Sequence, residues 1–279
     1  MRTLALATVS GAALLASGSL TPAARGGTVF RSDAVMPARQ AYPAPVRLAS
    51  AAYGRPASGE DPTGAAASDP TPVPAPAAAS ADLREGSVGA AELLAKVSAC
   101  RQISNGSYRT DEGASPSVPV CGMNGAVFWK ADLDIDCDGE VTKACNADTD
   151  PSFQGDTAFH ASGGRPLDAA ELPYVVVPSR SSLWDFGSAG IKGGSVAAVI
   201  HAGKVEYTVV GDTGPAGIIG EASYATAEAL GIDPDPKSGG TGSGVTYILF
   251  KDSVVAPIES HSAAVTAGEA LAEEFLRNN

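Results

Sequence analysis

Short runs of β-branched and aromatic residues, separated by Gly, Pro and Asp, recur along the second half of this chain and constrain its fold most strongly. Five of these runs have the length and composition of strands: residues 126–129, 174–177, 195–200, 205–210 and 245–250. The segment His-Ala-Gly-Lys between the third and fourth runs is typical of a hairpin turn. Helical spacing occurs only at residues 88–100, 223–230 and 262–276. Because strands and helices do not alternate, we expect a mostly β domain, a small closed barrel with a few short helices.

The first 80 residues have a different composition. Residues 1–24 combine a basic start, an apolar run and a small-residue exit, which is typical of a secretory signal peptide. A membrane anchor is less favoured, because the run is short and interrupted by Gly and Ser. Residues 25–82 are rich in Ala, Pro, Ser and Gly and predict a disordered linker. We therefore expect a secreted, extracellular monomer whose folded domain is residues 83–279, with no membrane segment in the mature form.

Four cysteines, Cys100, Cys121, Cys137 and Cys145, follow the predicted leader. An even number in an exported chain predicts disulfides, and four cysteines allow three pairings. Cys137 and Cys145 bracket a short turn, so we expect them to pair with each other and Cys100 to pair with Cys121. A zinc site would need closely spaced cysteine pairs or histidine partners, which the sequence lacks, and we expect no metal and no cofactor.

Acidic residues dominate the predicted domain. From residue 81 onward there are 27 acidic and 13 basic residues, a net charge of about −14. Such a surface repels nucleic acid and favours a cationic partner, although the acidic charge could equally serve only to keep the protein soluble.

Signatures of serine hydrolases, zinc peptidases and phosphate-binding loops are absent from the sequence. The Gly-rich segment 239–244 precedes a strand rather than opening a helix, so it is interpreted as a flexible loop and not as a phosphate-binding site. Among the common types of catalytic site, this leaves one that is built from carboxylates.

Two acids flank a tight turn near the end of the fourth β-rich run. Asp212 and Glu221 are separated by Gly214, Pro215 and Gly217. Nine extended residues would span roughly 30 Å, so the turn must fold back to bring the two carboxyls together. Inverting glycosidases hold their acid and base about 6.5–9.5 Å apart. Alternatively, Asp212 caps the turn and Glu221 supports the following helix.

A second acidic cluster occupies residues 132–139. Its spacing matches the start of an EF-hand loop, but the position of the closing Glu is Cys145, so calcium is not favoured. On a strand, Asp132, Asp134 and Asp136 share one face, opposite Leu133 and Ile135. Such a row of carboxylates suits a cationic chain or a hydrated strand.

Several of these segments together resemble family 75 of the glycoside hydrolases, the chitosanases of fungi and actinomycetes. The likeness covers roughly residues 100–252. The matching runs are Ala-Val-Phe-Trp-Lys-Ala-Asp at 126–132, Asp-Ile-Asp-Cys-Asp-Gly at 134–139, Asp-Pro-Ser-Phe-Gln at 150–154, Leu-Pro-Tyr-Val-Val-Val-Pro at 172–178, Gly-Asp-Thr-Gly-Pro at 211–215 and Ile-Gly-Glu-Ala-Ser-Tyr at 219–224. One departure is Gly-Asp at 155–156, where the family has a bulkier polar pair.

The resemblance implies an endo-acting enzyme that hydrolyses β-1,4 bonds between glucosamine units of chitosan with inversion, with Asp212 and Glu221 as the catalytic pair. It also implies substrate-binding roles for Asp134, Asp136, Asp150 and Gln154. A fainter likeness to the double-psi barrels of expansins and family 45 endoglucanases implies six strands, with Glu221 as acid and Asp212 as base. The alternatives are a non-catalytic barrel that binds cell-wall polysaccharide and a calcium-dependent adhesion module.

Overall fold

The computed structural model describes residues 85–279. Its strands and α-helices are β1 Cys121–Met123, β2 Ala126–Asp136, β3 Tyr174–Pro178, β4 Val196–His201, β5 Lys204–Gly214, β6 Glu221–Ser223, β7 Thr241–Phe250, α1 Ala90–Lys96, α2 Tyr224–Leu230 and α3 His261–Asn278. Within this part of the chain, no helix is long and apolar enough to cross a membrane. The predicted signal peptide and the predicted linker lie outside the described residues and stay predictions.

The strands form a closed barrel. Their order is β1-β2-β6-β3-β5-β4-β7, and β7 also pairs with β2, so the six strands β2 to β7 close on themselves while β1 adds to the side of β2. The pairs β2–β6 and β3–β5 are parallel, whereas β2–β7, β4–β5 and β4–β7 are antiparallel. Closure pairs the backbone groups that an open sheet would leave free at its edges. The predicted mostly β, closed-barrel fold is confirmed.

Two apolar layers hold the barrel in place. Side chains that point inward include Trp129 and Tyr247, which are fully buried and stack with their ring centroids 5.4 Å apart. On the outer face, α1 and α3 cover the sheet with residues such as Leu93 and Phe275. Gly268 of α3 lies directly on the Tyr207 ring, where a Cβ would overlap that ring. The site described below lies at the carboxyl ends of β2 and β5 and at the start of β6.

The Gly-rich segment differs from its prediction. Residues from Thr241 onward are not a loop but the beginning of β7, whose Thr241 pairs with Leu133 of β2. The pairing shifts register between Ala131 and Leu133, and Gly244 adopts a φ of +86°, which glycine tolerates without strain. Local composition favours a loop here, but pairing with a long neighbouring strand overrides it.

Two disulfides are present, Cys100–Cys121 and Cys137–Cys145, in the pairing expected from the sequence. The second closes the loop that follows β2. His261 is partly buried at the start of α3. The carboxylates of Glu206 and Glu85 raise its pKa to about 10.

Candidate active site

Asp212 lies near the carboxyl end of β5, opposite Val176 of the parallel strand β3. It is only 7% exposed, and its Oδ1 accepts hydrogen bonds from the backbone N–H groups of Ala158, at 2.8 Å, and Thr213, at 2.6 Å. Burial raises the pKa of Asp212, while the two N–H donors act in the opposite direction. The result is a carboxyl group with a fixed orientation at the end of a barrel strand.

Glu221 is the first residue of β6, in register with Asp134 of β2. The next side chain, Ala222, is buried in the barrel interior, so Glu221 points to the outer face. Ser223 is the N-cap of α2, and its Oγ also accepts a hydrogen bond from the backbone N–H of Tyr174 at 3.0 Å. Since Ser223 caps the helix, Glu221 is not needed for that purpose.

The turn between the two acids is held from several sides. The carbonyl of Gly214 accepts a hydrogen bond from the N–H of Ser179 at 3.0 Å. The backbone of Arg109 bonds both Gly217 and Ile219, with each distance 3.0 Å. Gly220 adopts a φ of +119°, and a Cβ there would overlap Asp132 Oδ1, so this position requires glycine. These contacts fix the position of the backbone where the turn ends and Glu221 begins β6.

The turn brings the two carboxyls to one face. Gly214 lies two residues beyond Asp212 on β5, which places it on the same side of the strand and about 6.6 Å further along. A Cβ built on Gly214 would overlap Glu221 Oε2, so the Glu221 carboxylate lies directly over Gly214. The carboxyl groups of Asp212 and Glu221 therefore lie on the same side of β5, offset by about two residues along the strand.

Asp136 interacts electrostatically with both of these acids. Oxygen atoms of Asp136, Asp138 and Asp212 lie within 4.8 Å of one another. Burial raises the pKa of Asp136 well above its ordinary value, with further contributions from the charges of Asp138, Glu221 and Asp212. The predicted acidic face of β2 is thus part of the same site as both candidate catalytic residues.

A second carboxylate group adjoins Glu221. Oxygen atoms of Asp111, Asp132 and Asp134 also lie within 4.8 Å of one another. Asp132 is only 3% exposed, and its Oδ1 has no hydrogen-bond partner among residues 85–279. Burial, followed by the charges of Asp134, Asp111 and Glu221, raises the pKa of Asp132 to about 7. Oxygen-only groups of this kind suit a hard cation or an ammonium group.

The two remaining predicted substrate-binding residues lie in the loop after the second disulfide. The Oδ1 of Asp150 accepts a hydrogen bond from the N–H of Ser152 at 2.7 Å, and Asp150 is buried, so it supports its own turn. Gln154 is exposed, and its backbone N–H donates to Asp138 Oδ1 at 2.6 Å. Gln154 is therefore at the edge of the acidic cluster, whereas the buried Asp150 presents little surface to a ligand.

Some residues of the site were absent from the predicted set. Asp138 belongs to a motif that carries the family resemblance, so its role was open to prediction. Asp111 comes from a loop outside any motif and gave no signal. His160 Nε2 lies 2.6 Å from Asp156 Oδ1 in an exposed contact, and both residues interact electrostatically with Asp212. Their position beside β5 follows from the hydrogen bond that the backbone N–H of Ala158 donates to Asp212 Oδ1.

Gly214→Ala tests the position of the Glu221 carboxylate. The added methyl would occupy the place of Glu221 Oε2, a flexible side-chain end that can move aside. We expect hydrolytic activity to fall by about 10- to 100-fold, because the carboxylate is displaced, while the melting temperature changes little. Gly217→Ala is the matched control, since a Cβ there meets nothing within 4 Å. Equal activities in the two variants would contradict the inferred geometry.

Comparison with known proteins places these residues in a family context. The family model described as fungal chitosanase of glycosyl hydrolase group 75 matches residues 133–277, which include both candidate catalytic acids. Endo-chitosanase C of Aspergillus oryzae is 33% identical over 178 residues, 60% of this chain and 44% of that protein. Endo-chitosanase B of the same species is 35% identical over 158 residues, 50% of this chain and 66% of that protein. An endo-chitosanase of Aspergillus fumigatus is 35% identical over 138 residues, 45% of this chain and 58% of that protein. The chain therefore covers less than two thirds of each of these relatives.

Proposed function

The chain belongs to the fungal chitosanase family of glycosyl hydrolase group 75, and from that premise we propose that it is an endo-acting chitosanase whose catalytic pair is Asp212 and Glu221. The observation that carries the proposal is the placement of two carboxyl groups on one side of β5, offset by about two residues along the strand, beside a row of further acids. The relatives named endo-chitosanases support the same substrate and the same internal mode of cleavage.

The offset between the two acids supports an inverting mechanism. Two residues along a strand span about 6.6 Å, and inverting enzymes hold their two carboxyl groups about 6.5–9.5 Å apart so that a water fits between the base and the anomeric carbon. Asp212 suits the base, because two backbone N–H groups fix its carboxyl group and burial raises its pKa, which makes the ionised form a stronger proton acceptor. Glu221 is assigned as the acid, as the likeness to the double-psi barrels implies. Glu221 then protonates the leaving oxygen while Asp212 takes a proton from water.

The neighbouring acids support a cationic substrate. Asp134 and Asp136 lie on the face that carries the catalytic pair, and Gln154 lies at its edge. The glucosamine units of chitosan carry ammonium groups, whose charge a row of carboxylates stabilises. The two disulfides support a secreted protein, because such bonds persist in oxidising compartments.

Viscosity of a chitosan solution tests the proposed activity. We expect a rapid fall in viscosity when the protein is added, because internal cleavage shortens long chains early, and no comparable fall with neutral cellulose derivatives. Proton NMR of the first products should show the α-anomer before mutarotation, as inversion requires. Binding of chitosan without any shortening would instead favour the non-catalytic polysaccharide-binding barrel, and a first product in the β-anomer would refute inversion.

A further inference from the structure

A separate group of titratable side chains lies where three distant segments meet on the face covered by α3. Glu85 precedes α1, Glu206 belongs to β5 and His261 is the first residue of α3. His261 Nε2 lies 3.1 Å from Glu206 Oε1 and 3.3 Å from Glu85 Oε1. One atom from each residue can be chosen so that all three lie within 4.8 Å of one another.

The central contact of this group has ion-pair distance without hydrogen-bond geometry. Neither Glu206 Oε1 nor His261 Nε2 has a hydrogen-bond partner among the described residues, although only 3.1 Å separates them. The Glu206 side chain is only 8% exposed, so this buried carboxylate oxygen relies on the His261 contact, which has ion-pair distance but not the alignment of a regular hydrogen bond. In a tetrahedral zinc site with bonds of about 2.0–2.2 Å, ligand atoms lie about 3.4 Å apart. The observed separations of 3.1 and 3.3 Å are close to that value.

The group is oriented by its surroundings. Glu85 Oε2 accepts a hydrogen bond from the backbone N–H of Tyr207 at 3.1 Å, which leaves Oε1 directed at His261. The segment that carries Glu85 is also held to α3, because the backbone N–H of Ser87 donates a hydrogen bond to Glu269 Oε1 at 3.0 Å. Support of this kind is typical of metal ligands. The side chains of His261 and Glu85 are 34% and 28% exposed, which leaves an open side where water can complete the coordination.

We propose that Glu85, Glu206 and His261 bind one zinc ion, with water as a further ligand, and that this ion fastens the segment entering the domain to β5 and α3. The role is structural and independent of chitosan hydrolysis. An imidazolium paired with two carboxylates accounts for the same positions without a metal, so the experiment must separate these two accounts.

Calorimetric titration of the full chain with zinc chloride separates them. The protein is first treated with a chelator and dialysed, and the titration is run at pH 8 because zinc must displace a proton from His261. We expect one equivalent to bind and the melting temperature to rise with the logarithm of the zinc concentration. His261→Gln and Glu85→Gln should each weaken binding at least about tenfold. Glu85→Gln is informative even if His261→Gln folds poorly, because Glu85 lies at the margin of the domain.

Glu273→Gln is the matched control. Glu273 lies on the exposed side of α3, 3.6 Å from Arg277, and its replacement should leave zinc affinity unchanged. The proposal fails if the wild-type protein neither binds zinc nor gains stability up to about 1 mM zinc. It fails equally if both ligand variants bind like the wild type, because the metal would then occupy other carboxylates. Chitosan hydrolysis, measured in parallel, tests the proposed function separately.

Discussion

Glu221→Gln is expected to lower the turnover number on chitosan by about 10³-fold while leaving the free energy of unfolding within about 1 kcal/mol of the wild type. The amide occupies the same space as the carboxyl but cannot transfer a proton to the leaving oxygen. Stability should change little, since Glu221 is partly exposed and Ser223, not Glu221, caps the following helix. Steady-state hydrolysis and denaturant unfolding measure the two quantities on the same preparation.

A substrate with an activated leaving group separates the roles of the two acids. A glucosamine oligomer with a dinitrophenyl leaving group needs no proton donor, so Glu221→Gln should cleave it nearly as fast as the wild type does. Asp212→Asn should stay slow on this substrate, because the attacking water still needs a base. Glu228→Gln, an exposed acid on α2, is the control and should retain full activity on both substrates. Full activity of Glu221→Gln on chitosan would remove Glu221 from the mechanism.

Local patterns were sufficient to predict the framework of this site. The β-rich runs correspond to five of the six barrel strands, because β-branched and aromatic composition reflects burial on a pleated surface. Alternation along β2 correctly placed Leu133 in the interior and Asp134 and Asp136 on the opposite face. The turn between Asp212 and Glu221 carried enough glycine to require a close reversal, and the structure places both acids on one side of it.

Contacts between segments that are distant in the sequence could not be predicted from such local patterns. β1 and β6 have three residues each, too few for a periodicity, and β6 exists because β2 and β3 both pair with it. Asp111 joins the site only because Arg109 pairs with the turn that precedes Glu221. His261 likewise meets its two glutamates through the packing of α3 on β5, which no local motif records.

Asp132→Asn is expected to raise the free energy of unfolding at pH 8 by on the order of 4 kcal/mol, with a gain that vanishes near pH 4. In the folded protein the pKa of Asp132 is raised from 3.8 to about 7, mainly by burial. Between these values the folded state keeps a proton that the unfolded state has lost. The contribution of Asp132 to wild-type stability therefore falls as the pH rises from about 4 to 7 and then levels off, and the asparagine variant lacks this loss.

Urea unfolding of both proteins at several pH values between 4 and 8 measures the difference directly. Asp148→Asn, which replaces an exposed carboxylate, is the control and should give a small difference at every pH. A gain that does not depend on pH would show that Asp132 stays ionised in the folded protein, and a loss of stability at pH 8 would show that its charge is compensated there. The expected gain would mean that the buried carboxyl group of Asp132 lowers the stability of the fold at neutral pH. Asp132 lies next to Gly220, and its charge interacts with that of Glu221, the proposed proton donor.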